Sequence, residues 1–273
     1  MEKKRTAIVT GGGSGLGRAL SIALGKQGYL VILIDIAEEA LQETARAVTE
    51  TGGEVRTLVL DISQSDAVSQ EFEKLIAEII QLNLLINCAG FSITSACENL
   101  SYSDWQRIIQ VNLLGTIQLA TLALQKMKKQ SFGSIVNIAS MFGLFPAPSG
   151  IAYATTKHGV VGFTRTLAVE AKEYGIVVSL VCPGFIQTSF FENAQYIGVQ
   201  KNTMMGKLPS NLTSPQEAAQ IILRGSSRGK ALIIFPFYVR LLWWIDWLFP
   251  WISAHIWQSE IKKYREIEVR RSE

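Results

Sequence analysis

Short apolar runs alternate with longer amphipathic stretches along most of this 273-residue chain. The runs are rich in β-branched residues and apolar at consecutive positions, as in strands of a parallel sheet covered on both faces. They occupy residues 7–9, 30–34, 55–60, 84–86, 134–138 and 177–181, and a last strand is predicted at 231–235. Stretches of helical length lie near 15–27, 37–51, 65–80, 103–128, 152–174 and 214–225. The alternation predicts a Rossmann-type, doubly wound α/β fold with a parallel sheet and right-handed crossovers.

Composition favours one folded domain at 1–235, followed by a hydrophobic, aromatic-rich extension at 236–273. Hydrophobic residues make up 48% of the chain and charged residues 18%, which supports a sizeable core. A net charge of +3 is too small to indicate nucleic acid as a partner. Three scattered cysteines form neither a disulfide framework nor a metal-binding CxxC pattern. The cysteine pattern therefore predicts no metal site. No apolar leader precedes the first strand, so we expect a cytoplasmic protein.

A glycine-rich turn links the first strand to the first helix, with the sequence TGGGSGLG at residues 10–17. Glycines allow a tight turn and close approach of the backbone to a pyrophosphate. The helix that follows offers free N–H groups and the positive end of its dipole to that anion. Within a strand–turn–helix unit, the motif indicates a dinucleotide site rather than a flexible loop.

Asp35 ends the second strand, 18 residues after Gly17. A carboxylate here accepts hydrogen bonds from the adenosine ribose hydroxyls and repels a 2′-phosphate. Positions 14, 36 and 37 carry Ser, Ile and Ala, so none provides a basic partner for such a phosphate. The sequence therefore predicts NAD rather than NADP. The alternative is that Asp35 is an ordinary N-cap for the helix that begins at Ala37, and the two roles are compatible.

Tyr153 and Lys157 are four residues apart in a helical stretch and so share one helix face. A free tyrosine has a pKa of about 10, and a neighbouring ammonium lowers the pKa by favouring the phenolate. Such a tyrosine can act as a general acid or base. Ser140, Asn112 and the turn Asn87-Cys88-Ala89-Gly90 lie at strand ends or on the helices behind them, where open α/β sheets bind ligands.

The combination of TGGGSGLG, NCAG, VNLLG, Ser140, YATTK and PGFIQT resembles the short-chain dehydrogenase/reductase family over roughly residues 6–230. The resemblance implies an enzyme that exchanges a hydride between a nicotinamide cofactor and an alcohol or carbonyl group. It implies that Tyr153 transfers the proton, Lys157 lowers its pKa and holds the ribose, and Ser140 polarises the substrate oxygen. Asn112 would support a water molecule that relays protons to Lys157.

The same resemblance assigns the cofactor contacts. Glycines 11, 15 and 17 would line the pyrophosphate, Asp61 and Ile62 would flank the adenine, and Thr188 would contact the carboxamide. The remaining implied contacts are Ser14, Leu16, Asp35, Asn87, Ala89, Gly90, Pro183 and Gly184. Cys88 stands where the family more often has a second Asn, at a position that mainly braces the sheet.

The loops predicted to form the substrate side are rich in large apolar residues. They carry Phe91, Met141, Phe142, Leu144, Phe145, Phe185, Phe190 and Phe191, and the last three belong to a substrate loop at about 185–212. We expect an apolar substrate such as a lipid, a sterol or a long-chain alcohol, because no charge in these loops demands an anion. The alternative is that several of these rings only pack the loop, which would leave room for a small polar alcohol.

The extension contains five of the six tryptophans between residues 243 and 257. Charged residues and Pro250 interrupt its apolar stretch, which argues against the roughly 20 uninterrupted residues of a membrane span. Three interpretations stay open: peripheral docking on a membrane through 237–257, a lid or dimer contact over the substrate cleft, and a true span.

Two other classes of function compete with a dehydrogenase. One is a catalytically idle NAD-binding sensor or scaffold, which would be expected to have lost Tyr153, Lys157 or Ser140. The other is an epimerase or dehydratase, whose relatives usually have a longer C-terminal substrate domain. We also expect a homodimer or homotetramer formed through the helices 103–128 and 152–174, because Leu119, Leu122, Val160 and Phe163 exceed the needs of one sheet face.

Overall fold

The computed structural model describes residues 4–198, 201–206, 209 and 211–269. Within these ranges, the strands are β1 Thr6–Thr10, β2 Leu30–Asp35, β3 Glu54–Val59, β4 Leu84–Asn87, β5 Ile93–Thr94, β6 Gly133–Ile138, β7 Ile176–Pro183, β8 Gln195–Tyr196 and β9 Leu232–Phe235. Seven of them form one parallel sheet in the order β3-β2-β1-β4-β6-β7-β9. A second, two-stranded parallel sheet pairs β5 with β8.

Helices cover both faces of the large sheet, which is the predicted doubly wound Rossmann-type fold. They are α1 Gly15–Lys26, α2 Glu38–Glu50, α3 Ser65–Ala67, α4 Glu73–Glu78, α5 Tyr102–Ile109, α6 Thr116–Gln130, α7 Ile151–Glu170, α8 Lys201–Met205, α9 Pro215–Ser227, α10 Phe237–Leu248 and α11 Pro250–Val269. Two π-helical segments, Val68–Phe72 and Gln110–Gly115, join α3 to α4 and α5 to α6. Buried residues of α1, α2 and α9 pack on one face of the sheet, and those of α4, α6 and α7 pack on the other.

The strand order reverses direction between β1 and β4, which are neighbours in the sheet. Their paired ends, Thr10 and Asn87, lie at the carboxyl edge. The Thr10 hydroxyl accepts hydrogen bonds from the backbone N–H groups of Cys88 at 3.0 Å and Ala89 at 3.1 Å. The two turns that follow these strands are therefore held together at the crevice where this fold class binds ligands.

Helices α6 and α7 bury more of their apolar residues in the chain's own core than the sequence suggested. The interpretation of Leu119 and Val160 as surplus is wrong, because both are fully buried within the chain and serve its core. The α5–α7 region nevertheless exposes other large apolar side chains, among them Leu114, Ile151 and Val169.

Two helices make up the extension. The last sheet strand, β9, is followed directly by α10, whose Val239 is fully buried, and then by α11. Among the described residues, one helical stretch, 102–130, is long and apolar enough to cross a membrane, with a mean hydropathy of 1.4 over its best window. That stretch packs on the large sheet through Leu119 and Met127, and its Ile108 is buried beside Ile93 and α7.

The small β5–β8 sheet joins the loop after β4 to the predicted substrate loop. Of that loop, residues 199–200, 207–208 and 210 lie outside the described residues, as do 1–3 of the predicted domain and 270–273 of the extension. The sequence contained no strong signal for strands of two residues, because such short elements have no periodicity.

Candidate active site

One cleft of about 1020 Å³ runs along the carboxyl edge of the sheet. It brings together all but two of the site residues proposed from the sequence. Those in its lining are Gly11, Ser14, Gly15, Leu16, Gly17, Asp35, Asp61, Ile62, Ala89, Gly90, Ser140, Tyr153, Lys157, Pro183, Gly184 and Thr188. Asn87 and Asn112 lie behind this lining.

The glycine turn at one end of the cleft has no room for side chains. Gly11 and Gly15 adopt positive φ angles of 66° and 50°, which strain other residues. A Cβ at Gly17 would lie 2.0 Å from the carbonyl oxygen of Gly11. Ser14 is the N-cap of α1 but makes no side-chain capping bond, so N–H groups of the first turn stay available to an anion.

Asp35 supports the turn as well as facing the cleft. Its Oδ2 accepts a hydrogen bond from the N–H of Gly13 at 3.0 Å, and its Oδ1 accepts one from the N–H of Ala37 at 3.2 Å. The expectation that Asp35 caps the next helix is wrong, because the N-cap of α2 is Ala37 and no side chain caps it. The carboxylate lines the cleft and bonds to the backbone before α2 instead.

Tyr153 lies in the first turn of α7, and its ring packs beside that of Phe190. Burial raises the pKa of the phenol, and a hydrogen bond from the Ser140 side chain acts in the opposite direction. Ser140 follows the end of β6, so the sheet and α7 together set the position of this pair. The phenol is protonated near neutral pH in this arrangement and is ready to donate a proton.

Lys157 lies one turn after Tyr153, with its Nζ 5.6 Å from the centroid of the tyrosine ring. The Nζ donates a hydrogen bond to the carbonyl oxygen of Ile138 at 2.9 Å. Burial lowers the pKa of this lysine to about 8. The amine is therefore mostly charged at neutral pH while remaining close to its titration point.

Asn112 lies in the π-helical segment between α5 and α6, an irregularity that is frequent at functional sites. Its amide donates to the carbonyl oxygen of Phe91 at 2.8 Å and accepts from the N–H of Phe91 at 3.0 Å. The side chain thus clamps the backbone of the loop after β4. A Cβ at Gly90 would lie 3.0 Å from the Asn112 Oδ1, so this glycine permits the clamp.

Asn87 lies beneath the cleft lining, where its side chain is buried, and its proposed contact with the cofactor stays a prediction. The Asn87 amide donates to the Oδ1 of Asn137 at 2.9 Å, and the Asn137 amide donates to the hydroxyl of Thr164 at 3.0 Å. This chain of bonds ties β4 to β6 and β6 to α7.

Cys88 lies in the cleft lining beside the glycine turn. Burial raises the pKa of its thiol to about 12, and the charge of Lys157 acts in the opposite direction. Because the thiolate is the nucleophilic form, this cysteine is unreactive near neutral pH.

The other end of the cleft is aromatic. Phe142 contacts Phe185 with ring centroids 6.0 Å apart, and Phe190 contacts Tyr153 at 5.7 Å. Five of the predicted phenylalanines line the cleft: Phe91, Phe142, Phe185, Phe190 and Phe191. Leu144 and Phe145 lie behind the lining, where Phe145 is fully buried.

Several lining residues on the substrate side escaped the sequence analysis. Arg107 of α5 brings a positive charge to this end, where none was expected. Its guanidinium donates to the Oε1 of Gln195 and lies 5.1 Å from the centroid of Phe91. Trp257, near the end of the chain, also reaches the cleft. Neither residue belongs to a local motif, so only the tertiary fold reveals them.

Comparison with known proteins agrees with this geometry. The chain matches the family model of the short chain dehydrogenases over residues 5–196. It is 31% identical over 220 residues to the 3-oxoacyl-[acyl-carrier-protein] reductase FabG of Thermotoga maritima, covering 80% of this chain and 89% of the relative. The chain therefore belongs to the short-chain dehydrogenase/reductase family, whose members are oxidoreductases that bind a nicotinamide cofactor.

Solved structures show the same fold. A short-chain dehydrogenase from Sphingobium yanoikuyae, in complex with NADPH, superposes with a TM-score of 0.78 at 25% identity, over 92% of this chain and 94% of the other. A family member from Burkholderia phymatum, in complex with NAD, gives 0.83 at 24% identity, over 93% and 97%. Both cofactors thus occur among structural neighbours, and the choice between them depends on side chains.

Proposed function

We propose that the protein is an NAD-dependent oxidoreductase that interconverts an alcohol and a carbonyl group on an apolar substrate. The observation that carries this proposal is the position of Ser140, Tyr153 and Lys157 in one cleft, between a glycine turn suited to phosphates and an aromatic wall. An idle NAD-binding scaffold would have no need to keep this trio together.

The residues present fit a dinucleotide. The glycine turn packs so closely on α1 that a Cβ at Gly17 would overlap the carbonyl oxygen of Gly11, and the cleft continues from this turn past Asp35 to Tyr153. When bound, the nicotinamide cofactor supplies or accepts the hydride, and the positive charge of its oxidised ring favours the phenolate of Tyr153.

The protein's own groups handle the proton and the substrate oxygen. In the reducing direction, the Tyr153 hydroxyl donates its proton to the oxygen that becomes the alcohol, and the Ser140 hydroxyl donates a hydrogen bond to that oxygen. The Lys157 ammonium, held by Ile138, stabilises the negative charge left on Tyr153. In the oxidising direction the same phenolate takes up the proton.

The preference for NAD is proposed from the charges at the Asp35 end of the cleft. Asp35 and Asp61 are both in the lining there, beside Ile36. Among the described lining residues, the basic side chains are Lys157 and Arg107, which lie towards the substrate end. A 2′-phosphate would thus meet a carboxylate with no cation to balance it.

The apolar substrate is proposed from the phenylalanines of the opposite wall, with Met204 and Met205 alongside them. The guanidinium of Arg107 already donates a hydrogen bond to the Gln195 amide and stacks over the ring of Phe91, so it has contacts within the protein. A small polar alcohol, the alternative substrate, would make little apolar contact with these rings.

The test is steady-state turnover of NADH and NADPH with matched apolar and polar ketones, using the Tyr153→Phe variant as the blank. We expect NADH to be preferred and kcat/KM to rise with the apolar surface of the ketone. Turnover that matches the Tyr153→Phe blank on every ketone and alcohol would refute the enzyme. Better use of NADPH, or of small polar ketones, would refute the corresponding part.

We further propose that residues 237–257 dock peripherally on a membrane. On α10, the exposed apolar side chains at positions 237, 238, 241, 242, 244, 247 and 248 span an arc of about 220° at 100° per residue. A helix docked peripherally lies in the plane of the membrane interface with its apolar face buried at the headgroup level. Tryptophan is enriched at the membrane–water interface, which favours this occupant.

Finally, we propose a homodimer or homotetramer that uses the α5–α7 region. The exposed Leu114, Ile151 and Val169 supply the apolar surface that the buried Leu119 and Val160 do not. An apolar side chain that is 77% exposed, as Val169 is, becomes favourable to bury against a second copy.

A further inference from the structure

The extension folds back over the carboxyl edge and becomes part of the substrate side of the cleft. Val239 of α10 is fully buried in a cluster with Leu180, Cys182 and Ile234 from β7 and β9. Tyr238 covers Gly184, where a Cβ would lie 2.6 Å from the tyrosine hydroxyl. These contacts fix the start of α10 to the sheet, and α11 follows after a single residue.

Trp257 is the residue of α11 that reaches the cleft lining. Its ring stacks on Phe145 with centroids 5.8 Å apart and planes 14° from parallel. Phe145 in turn packs edge-on against Phe142, a ring of the aromatic wall, at 6.1 Å. The indole thus continues the aromatic wall with a side chain from the extension.

Beyond Trp257, α11 crosses to the opposite side of the cleft. Ile261 packs against Ala96, Tyr196 and Met204, which belong to the loop after β5 and to the substrate loop. The guanidinium of Arg265 pairs with the carboxylate of Glu98 at 2.8 Å. The chain is therefore fixed before Trp257 by the start of α10, and after it by Ile261 and Arg265. These contacts hold the indole at the cleft.

The indole N–H of Trp257 is buried and has no hydrogen-bond partner among the described residues. An unpaired buried donor is unfavourable, so a hydrogen bond is not what holds this side chain in place. Trp257 acts through its ring surface, which contacts Phe145 and lines the cleft. A phenylalanine could therefore replace much of its role.

We propose that Trp257 determines substrate specificity, as an aromatic wall that limits how far an apolar substrate extends from the reacting carbon. This proposal rests on the proposed oxidoreductase activity and adds to it a limit on substrate length. It gives the extension a second role on its inner face, distinct from the exposed rings of its outer face.

The experiment compares Trp257→Ala with Trp251→Ala in the full chain. Trp251 is the matched control, because it lies on the same helix, is 66% exposed and is not part of the cleft lining. Both variants and the wild type are assayed without lipid on 2-alkanones of increasing chain length, with NADH. Binding of NADH and the melting temperature are measured for each protein to confirm folding.

We expect Trp257→Ala to shift the ratio of kcat/KM between long and short ketones in favour of the long ones by about tenfold or more. Trp251→Ala should leave the ratio unchanged, and Trp257→Phe should stay closer to wild type than Trp257→Ala. An unchanged ratio in a Trp257→Ala protein that folds and binds NADH would overturn the inference. A wild type inactive on the whole series would instead count against the proposed function.

Discussion

The ammonium of Lys157 donates a hydrogen bond to the carbonyl oxygen of Ile138 at 2.9 Å, which joins the helix that carries Tyr153 to the strand that precedes Ser140. Because Ser140 comes two residues after Ile138, this bond helps set the distance between the serine and Tyr153. The same burial that makes the bond effective also lowers the pKa of the lysine to about 8.

The lowered pKa of Lys157 should make stability depend on pH. The unfolded lysine titrates near its ordinary value of 10.5, so between about pH 8 and 10.5 the unfolded state binds more protons than the folded state. Stability contributed at this site therefore rises with pH across that window. Relative to Lys157→Met, the wild type should gain about 3 kcal/mol in unfolding free energy.

Urea unfolding of both proteins at pH 7.5 and pH 10 measures this difference. The comparison with Lys157→Met removes most of the contribution of Cys88 and Cys182, because burial is the main cause of their raised thiol pKa values and the opposing effect of the Lys157 charge is smaller. A gap between the two proteins that is the same at both pH values would show that the lysine is not titrating in this range.

Tyr153→Phe should reduce kcat by about 10²–10⁴-fold, because the proton-transferring hydroxyl is lost while the ring stays in place. The ring contact with Phe190, with centroids 5.7 Å apart, does not involve the hydroxyl. NADH affinity should therefore change little. Fluorescence titration and steady-state kinetics on the same preparation test this, and near-normal turnover would exclude Tyr153 as the acid and base.

Asp35→Ala combined with Ile36→Arg should shift the preference from NAD towards NADP. The first change removes the carboxylate, and the second supplies a cation for the 2′-phosphate. We expect the ratio of kcat/KM for the two cofactors to move by at least about tenfold, or 1.4 kcal/mol. Since Asp35 also holds Gly13 and Ala37, Asp35→Asn is the control that keeps an acceptor but removes the charge. If the unmodified protein already prefers NADPH, the role given to Asp35 is wrong.

The fold and the sites that depend on local motifs could be predicted from the sequence. Consecutive apolar residues located the seven strands of the large sheet. The spacing from Ser140 to Lys157 predicted that these residues share a cleft with Tyr153, because they lie on one strand end and one helix. The packing of the Asn87 side chain beneath the cleft was not predicted, for a physical reason. Its amide bonds to Asn137, a partner 50 residues away that no local pattern reveals.

The substrate side was less predictable because it is assembled from distant segments. Arg107 and Gln195 meet across 88 residues, and Trp257 reaches Phe145 from the end of the chain. The aromatic composition of the extension was visible in the sequence. Its division into an inner face at the cleft and an outer exposed face requires the tertiary structure.

Val169→Arg should weaken the proposed oligomer. A charge introduced at this exposed position of α7 could not be buried against a second copy without a partner. Light scattering should show the wild type as a dimer or tetramer and the variant shifted towards monomer. Ile80→Arg, at a position 76% exposed after α4 and outside the proposed interface, is a control for added charge. A monomeric wild type would refute the proposal.

The membrane proposal predicts that the full chain floats with neutral phosphatidylcholine liposomes. Each buried Trp or Leu contributes about 1–3 kcal/mol, so a few exposed residues of the outer face could hold the protein without a span. Binding should persist at moderate salt, because Arg240 is the charged exposed residue within the apolar arc of α10. An apolar substrate partitions into lipid, so docking would raise its concentration at the cleft.

The decisive variant combines Trp244→Ser, Trp247→Ser and Trp251→Ser, all at exposed positions outside the cleft lining. It should lose flotation while keeping its activity on water-soluble ketones, since Trp257 and the trio are untouched. Tyr102→Ser, which removes an exposed aromatic ring elsewhere, should float like the wild type. If the wild type does not float and the triple variant changes the oligomeric state, the outer face is a contact between copies of the chain, and the membrane proposal fails.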